Sequence, residues 1–317
     1  MESEKDYLRR AVDCLQCPKC GGRFNILGES EVRCAACGFA VAIERGNIFC
    51  FEQSELPENV MEKTLYGPEG EELLQELAGE GSARLNFLKY LSHQSVNLCV
   101  LDYGCGSSRQ VFDLAHRFKN GIVFGLDYDL VPLQIISDAA NKLGFQNIFL
   151  IQFRSAKLPF RDNIFGIVTS HQVLEHVSHP DESVNEICRI MKQGGIFEVD
   201  FPNGNSAGEF FRRFFHKLNR TKNPHISRIS LKRAKKMFDE AVFKMEKFQS
   251  VQTITGPLSY FIEGLFLRYI MKKYKIWSFR KKYQNNFVFR GLQRLELFWG
   301  RHFPRMGHAF EFILIKK

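Results

Sequence analysis

Two groups of residues in this 317-residue chain have the types and spacing that chemistry needs. The first is Cys17-x2-Cys20-x13-Cys34-x2-Cys37, with Gly21 and Gly38 directly after the second cysteine of each half. Paired cysteines at this spacing can supply four thiolates to one tetrahedral zinc. A site closed by four thiolates is structural, because no position remains for water. A segment of about 45 residues also has too little core to fold alone, so metal binding would supply part of its folding free energy. The second group is the stretch VLDYGCGSSRQ, residues 100–110, with Asp127 25 residues after Asp102. Gly104 and Gly106 let another molecule approach the backbone, and a carboxylate precedes them.

A dinucleotide-binding turn would place a third glycine at position 109, which is Arg. It also has no need for an acid before the first glycine. S-adenosylmethionine fits better: it has no phosphate, and its sulfonium and ammonium charges suit Asp102. Asp127 can accept hydrogen bonds from both ribose hydroxyls.

The elements around these residues alternate. Apolar runs at 97–103, 121–127, 147–153, 164–170 and 196–201 read as buried strands, and amphipathic stretches at 109–118, 130–144 and 181–195 as helices. Residues 85–91 read as a helix leading into the first strand. Gly144 and the pair Gly194–Gly195 are expected to stop their helices. Such alternation implies an α/β fold with a mostly parallel, doubly wound sheet. Four segments follow: a zinc ribbon over 1–50, a linker with covering helices over 51–84, a cofactor-binding core over 85–205, and a C-terminal part over 206–317. That last part carries a basic, aromatic helical insertion over about 256–303.

The motifs VLDYGCGSS, VFGLDYD, SAKLPF, VTSHQVLEHV and RIMKQGGIFEVDFPN stand in the order found in class I S-adenosylmethionine-dependent methyltransferases, and the chain resembles their type 11 group. The resemblance covers about residues 85–205, and HAFEFILIKK at the C-terminus resembles that group's antiparallel last strand. It implies a Rossmann-like fold in which Asp102, Gly104, Cys105 and Gly106 line the methionyl side of S-adenosyl-L-methionine. Asp127 would hold the ribose, Tyr128 would lie beside the adenine, Ser155 and Ala156 would border it, and His171 would sit near the sulfonium. The chain departs from the group at Arg154, where an acid is frequent, at Ser108, often glycine, and at Gly166, often aspartate. The N-terminal segment resembles zinc ribbons that precede some bacterial methyltransferases.

Methyl transfer needs alignment and exclusion of water, and a hydroxyl acceptor also needs a base. His176 and His225 are the candidates for that base; Glu175 reads as structural. The nine cysteines and the polar first ten residues, with no apolar leader, favour a reducing compartment and a cytoplasmic location. No stretch is long and apolar enough to span a membrane.

Charge is split along the chain. Residues 1–200 carry a net −9 and residues 201–317 a net +18. Within the insertion, Leu258, Phe261, Ile262, Leu265, Phe266 and Tyr269 recur at helical spacing beside Lys272 and Lys273. This suits a helix lying on an anionic membrane, so a peripheral position at its inner face is a second expectation for location. It also suits RNA. Three readings stay open: a methyltransferase for a small-molecule or lipid-linked acceptor, an RNA methyltransferase, and a non-catalytic binding protein on the same fold.

Overall fold

The structure is a computed structural model, and it describes residues 4–52, 83–90, 98–218, 224–251 and 307–317. Most of the linker at 51–84 and the whole insertion at about 256–303 lie outside the described residues. The described residues form two compact units.

The first unit holds the described residues within 1–171, 182–198 and 315–317. It opens with helix α1 (Glu4–Cys14), followed by four short strands: β1 (Phe24–Leu27), β2 (Glu31–Cys34), β3 (Ala40–Glu44) and β4 (Ile48–Cys50). These pair antiparallel in sequence order. Burial alternates along β3, with Val41 and Ile43 inside, so one face of this small sheet is covered. The helix expected over 85–91 is a 3-10 helix over Ala83–Tyr90.

The rest of the unit is strand β5 (Cys99–Tyr103), helix α2 (Gln110–Arg117), strand β6 (Ile122–Asp127), helix α3 (Leu130–Leu143), strand β7 (Ile148–Gln152), strand β8 (Phe165–His171), helix α4 (Pro180–Ile190) and the first part of β9 (Met191–Pro202). Strand order in this unit is β1-β2-β3-β4-β7-β6-β5-β8-β9. The pairs β4/β7, β7/β6, β6/β5 and β5/β8 are parallel. The ribbon strands and the larger sheet are therefore continuous, with Ile48 opposite Leu150 and Cys50 opposite Gln152.

The parallel strands are apolar except toward their carboxyl ends because both faces are covered; all five residues of β7 are buried. At the centre, Phe124, Phe160 and Phe165 meet edge to face at 4.9–5.7 Å between ring centroids. Such pairs add about 0.5–1.5 kcal/mol each beyond their area burial. Helix α3 starts at Asp129, whose side chain accepts from the Val131 N–H, and stops at Gly144, as the sequence suggested.

Helix α4 differs from expectation. It ends at Ile190, and Gly194 and Gly195 lie inside β9. Its last carbonyls are already taken: Arg189 O accepts from Asn163 N–H at 3.1 Å and Ile190 O from Ile164 N–H at 2.8 Å. The buried Met191 then continues as strand.

The second unit holds the described residues within 172–181 and 199–314. Its described elements are the end of β9, helices α5 (Ala207–Leu218) and α6 (Leu231–Glu240), strand β10 (Phe243–Val251) and most of β11 (Ala309–Lys316). The order is β9, β11, β10. Phe201, Phe238, Phe310 and Phe312 form its core, with Phe238 and Phe312 at 5.0 Å.

Candidate functional site

The chain runs from β5 through β6 to β7 on one side of β5 and then crosses to β8 on the other, so the carboxyl ends of β5 and β8 mark the point where the winding reverses. Ligands of open α/β sheets bind at such a point. Asp102 stands near the end of β5, opposite Thr169 of β8. Its side chain is buried, and it accepts from Thr169 Oγ1 at 2.9 Å and Ser108 Oγ at 3.3 Å. Burial pushes the Asp102 carboxyl above its ordinary range; the positive influence of His171 and the two hydroxyl donors temper the rise. Ser108, where the resembled group often has glycine, thus donates to Asp102.

Between β5 and α2 the chain turns sharply. Gly104 and Cys105 donate to Leu126 O at 2.8 and 3.0 Å, joining the turn to β6. Gly106 has φ +50°, and a Cβ placed there would enter open space. Its N–H donates to Asp127 Oδ2 at 2.8 Å, while Asp127 Oδ1 accepts from Asp129 N–H at 3.0 Å. Each carboxylate oxygen has a further lone pair, so two backbone donors hold Asp127 in place and leave acceptor capacity.

Tyr128, directly after Asp127, is exposed, and the Arg154 guanidinium lies over its ring at 5.3 Å. Ser155 and Ala156 are exposed in the bend after β7. Cys105 is buried, and burial raises its thiol well above the ordinary value. His171 ends β8, with Nε2 3.3 Å from Glu198 Oε2. Gly166 has a packing reason: a Cβ there would meet Leu98 Cδ2 at 2.4 Å. Sequence reasoning missed Thr169 and Glu198 around Asp102. Pairing register identifies Thr169 as its partner, and the sequence carries no register.

The four N-terminal cysteines converge. Cys17 and Cys37 have sulfurs 3.7 Å apart, Cys20 and Cys34 3.4 Å, and all four lie within 4.8 Å of one another. A tetrahedron with metal–sulfur bonds of about 2.3 Å has sulfur–sulfur edges of about 3.8 Å. The donor set therefore fits zinc. Gly21 and Gly38 have φ +75° and +72°, and their N–H groups donate to Cys17 O and Cys34 O. Each thus closes its knuckle in a conformation other residues resist.

In the second unit, His176 and His225 come together, their rings T-shaped at 5.1 Å. Glu175 precedes His176 in the turn after β8; it is buried, and neither carboxylate oxygen has a hydrogen-bond partner. Burial pushes its carboxyl up to about 8; its own backbone N–H opposes the rise, Asp200 and Glu209 add to it, and Arg212 opposes it. His225 Nδ1 lies 3.1 Å from Glu209 Oε1, and Arg212 contacts both residues. Burial acts to raise Glu209, but the His225 hydrogen bond and the charges of His225 and Arg212 outweigh it and hold the group below its ordinary value. Glu209 and Arg212 were not foreseen, although their i, i+3 spacing on α5 puts them on one face.

Residues 94–241 match a family model described as a methyltransferase domain. The fold is a methyltransferase fold. In structure the chain resembles the geranyl diphosphate C-methyltransferase of Streptomyces coelicolor, crystallised with Mg2+, geranyl diphosphate and S-adenosyl-L-homocysteine. That likeness has TM-score 0.50 and 13% identity, covering 83% of this chain and 86% of that one. In sequence it is 26% identical over 162 residues to the uncharacterized methyltransferase YcgJ of Bacillus subtilis, covering 51% of this chain and 62% of the relative. It is 30% identical over 158 residues to the ubiquinone/menaquinone biosynthesis C-methyltransferase UbiE of Pseudomonas aeruginosa, covering 46% and 60%. The chain thus spans about three fifths of the length of these two relatives. No helix among the described residues is long and apolar enough to cross a membrane.

Proposed function

We propose that the protein is an S-adenosylmethionine-dependent methyltransferase acting on a small-molecule or lipid-linked acceptor, with O-methylation at a membrane surface as the specific form. One observation carries this reading: two carboxylates, Asp102 and Asp127, stand at the carboxyl ends of adjacent parallel strands, and the turn beside them leaves open space at Gly106. S-adenosylmethionine supplies a methyl group already activated by its sulfonium. The residues proposed to hold it are Asp102, Gly104, Cys105 and Gly106 on the methionyl side, Asp127 at the ribose, Tyr128, Ser155 and Ala156 at the adenine, and His171 toward the sulfonium. Tyr128 is exposed, with the Arg154 guanidinium over its ring.

His176 and His225 are proposed to handle the acceptor's proton. His176 Nδ1 lies 3.0 Å from Pro224 O, so that nitrogen donates and Nε2 keeps its lone pair. Burial lowers the His176 pKa, which favours the neutral imidazole a base requires. Cys17, Cys20, Cys34 and Cys37 are proposed to hold a structural zinc, for which their separations are suited.

The test is methyl transfer from labelled cofactor into lipid and RNA extracts, run with wild type and Asp127→Ala. Labelled lipid or small molecules from wild type alone support the reading. Labelled RNA would shift it to the RNA alternative. Equal labelling by both proteins would remove Asp127 from the site. Failure of wild type to bind S-adenosyl-L-homocysteine in calorimetry would leave the non-catalytic alternative.

A further inference from the structure

Glu175, His176 and His225 each present one donor atom, and these three atoms lie within 4.8 Å of one another. The surroundings settle what those atoms offer. A carbonyl can only accept, so His176 Nδ1 at 3.0 Å from Pro224 O must carry the proton, and Nε2 faces Glu175 Oε1 at 3.8 Å with a lone pair. His225 Nδ1, 3.1 Å from the Glu209 carboxylate, donates as well, which puts its lone pair on Nε2, where it accepts from Arg212 Nη1 at 2.7 Å. Glu175 is 2% exposed, with both oxygens buried and unbonded. A buried carboxylate in that position is costly, and Arg212 is the positive side chain that acts on it; a bound cation would take over that role. The outer shell matches that of metal-bound histidines, whose second nitrogen donates to a carboxylate or a backbone carbonyl.

We propose that Glu175, His176 and His225 form a site for one divalent first-row cation, separate from the four-cysteine cluster. Two imidazoles and one carboxylate suit Zn2+, Mn2+, Fe2+ or Co2+, and three protein ligands leave positions for oxygen donors. This goes beyond the proposed function and does not depend on the cofactor reading; a cation held there could bind and polarise an oxygen ligand. Arg212 is the competitor. Its Nη1 lies 2.7 Å from His225 Nε2, so a bound cation requires that arm of the guanidinium to withdraw, while Nε stays 3.2 Å from Glu209 Oε1.

Mn2+ is the probe, because thiolates disfavour it relative to imidazole and carboxylate. The full chain is first given one equivalent of zinc, which the four thiolates take. It is then titrated with Mn2+ while free Mn2+ is followed by electron paramagnetic resonance. Wild type should bind one Mn2+. Glu175→Gln and His225→Ala should bind at least about tenfold more weakly, by analogy with the 10–100-fold effects of outer-shell changes. His176→Ala, whose side chain is 42% exposed, is the variant least prone to misfold and should show the same loss. Arg212→Met should bind Mn2+ more tightly, a gain that damage to the fold cannot produce. No uptake by wild type, unchanged uptake in Glu175→Gln and His225→Ala, or no tightening in Arg212→Met would overturn the site. S-adenosyl-L-homocysteine binding is measured on the same samples. Its loss with Mn2+ binding intact would count against the cofactor reading alone.

Discussion

Asp127 carries the most at the scale of single residues. Two backbone N–H groups fix its carboxylate without exhausting it, so Asp127→Ala removes the acceptors proposed for the ribose from a prepared position. A charged hydrogen bond contributes about 1.5–3 kcal/mol, so cofactor-product binding should fall by about 10–100-fold in calorimetry. Asp102 makes a different prediction. Its folded pKa is raised by burial, so the folded state holds a proton that the unfolded state, with an ordinary value of about 3.9, has released. Stability contributed by this group is therefore fully present below that value and declines as pH rises toward the folded value. Urea midpoints measured upward from pH 4 should show this decline in wild type and a flatter profile in Asp102→Asn. Both aspartates were legible in the sequence because an acid that closes an apolar run falls at the rim of a parallel sheet, where ligands bind. Thr169 and Glu198 were not, because their relevance depends on which strands become neighbours.

Strand and helix order was largely legible at the level of elements, because period-2 and period-3.6 patterns survive in the sequence. Boundaries held least well at α4. Two glycines suggested a helix ending near 195, but backbone donors from Asn163 and Ile164 close it at Ile190. Nothing near residue 190 in the chain announces partners about 27 positions earlier. The joining of β4 to β7 was equally hidden. Asn47 is its hinge pin: its Nδ2 donates to Ile148 O at 3.3 Å, and its Oδ1 accepts from the fully buried Ser137 Oγ at 2.6 Å. Asn47→Ala would strand that hydroxyl, at a cost of about 1–3 kcal/mol. The expected result is a lower urea midpoint with an unchanged slope.

For the whole molecule, the sequence divides its charge unevenly, and the basic side chains of 256–303 fall outside the described residues. Cosedimentation with anionic vesicles that weakens but survives at high salt is the result expected of a basic, apolar-faced helix. Chelation should act at the other end of the chain. With zinc on the four cysteines as proposed, stripping it should lower the thermal midpoint, and the shift should reverse when zinc is restored. The parallel pairing of β4 with β7 gives that experiment a second outcome. Without an ordered β4, the backbone amides of β7 around Leu150 would become an uncapped template for a neighbouring molecule's strand. Light scattering should then rise on chelation before secondary structure is lost, so metal supply would govern whether the protein stays dispersed as well as how firmly it is folded.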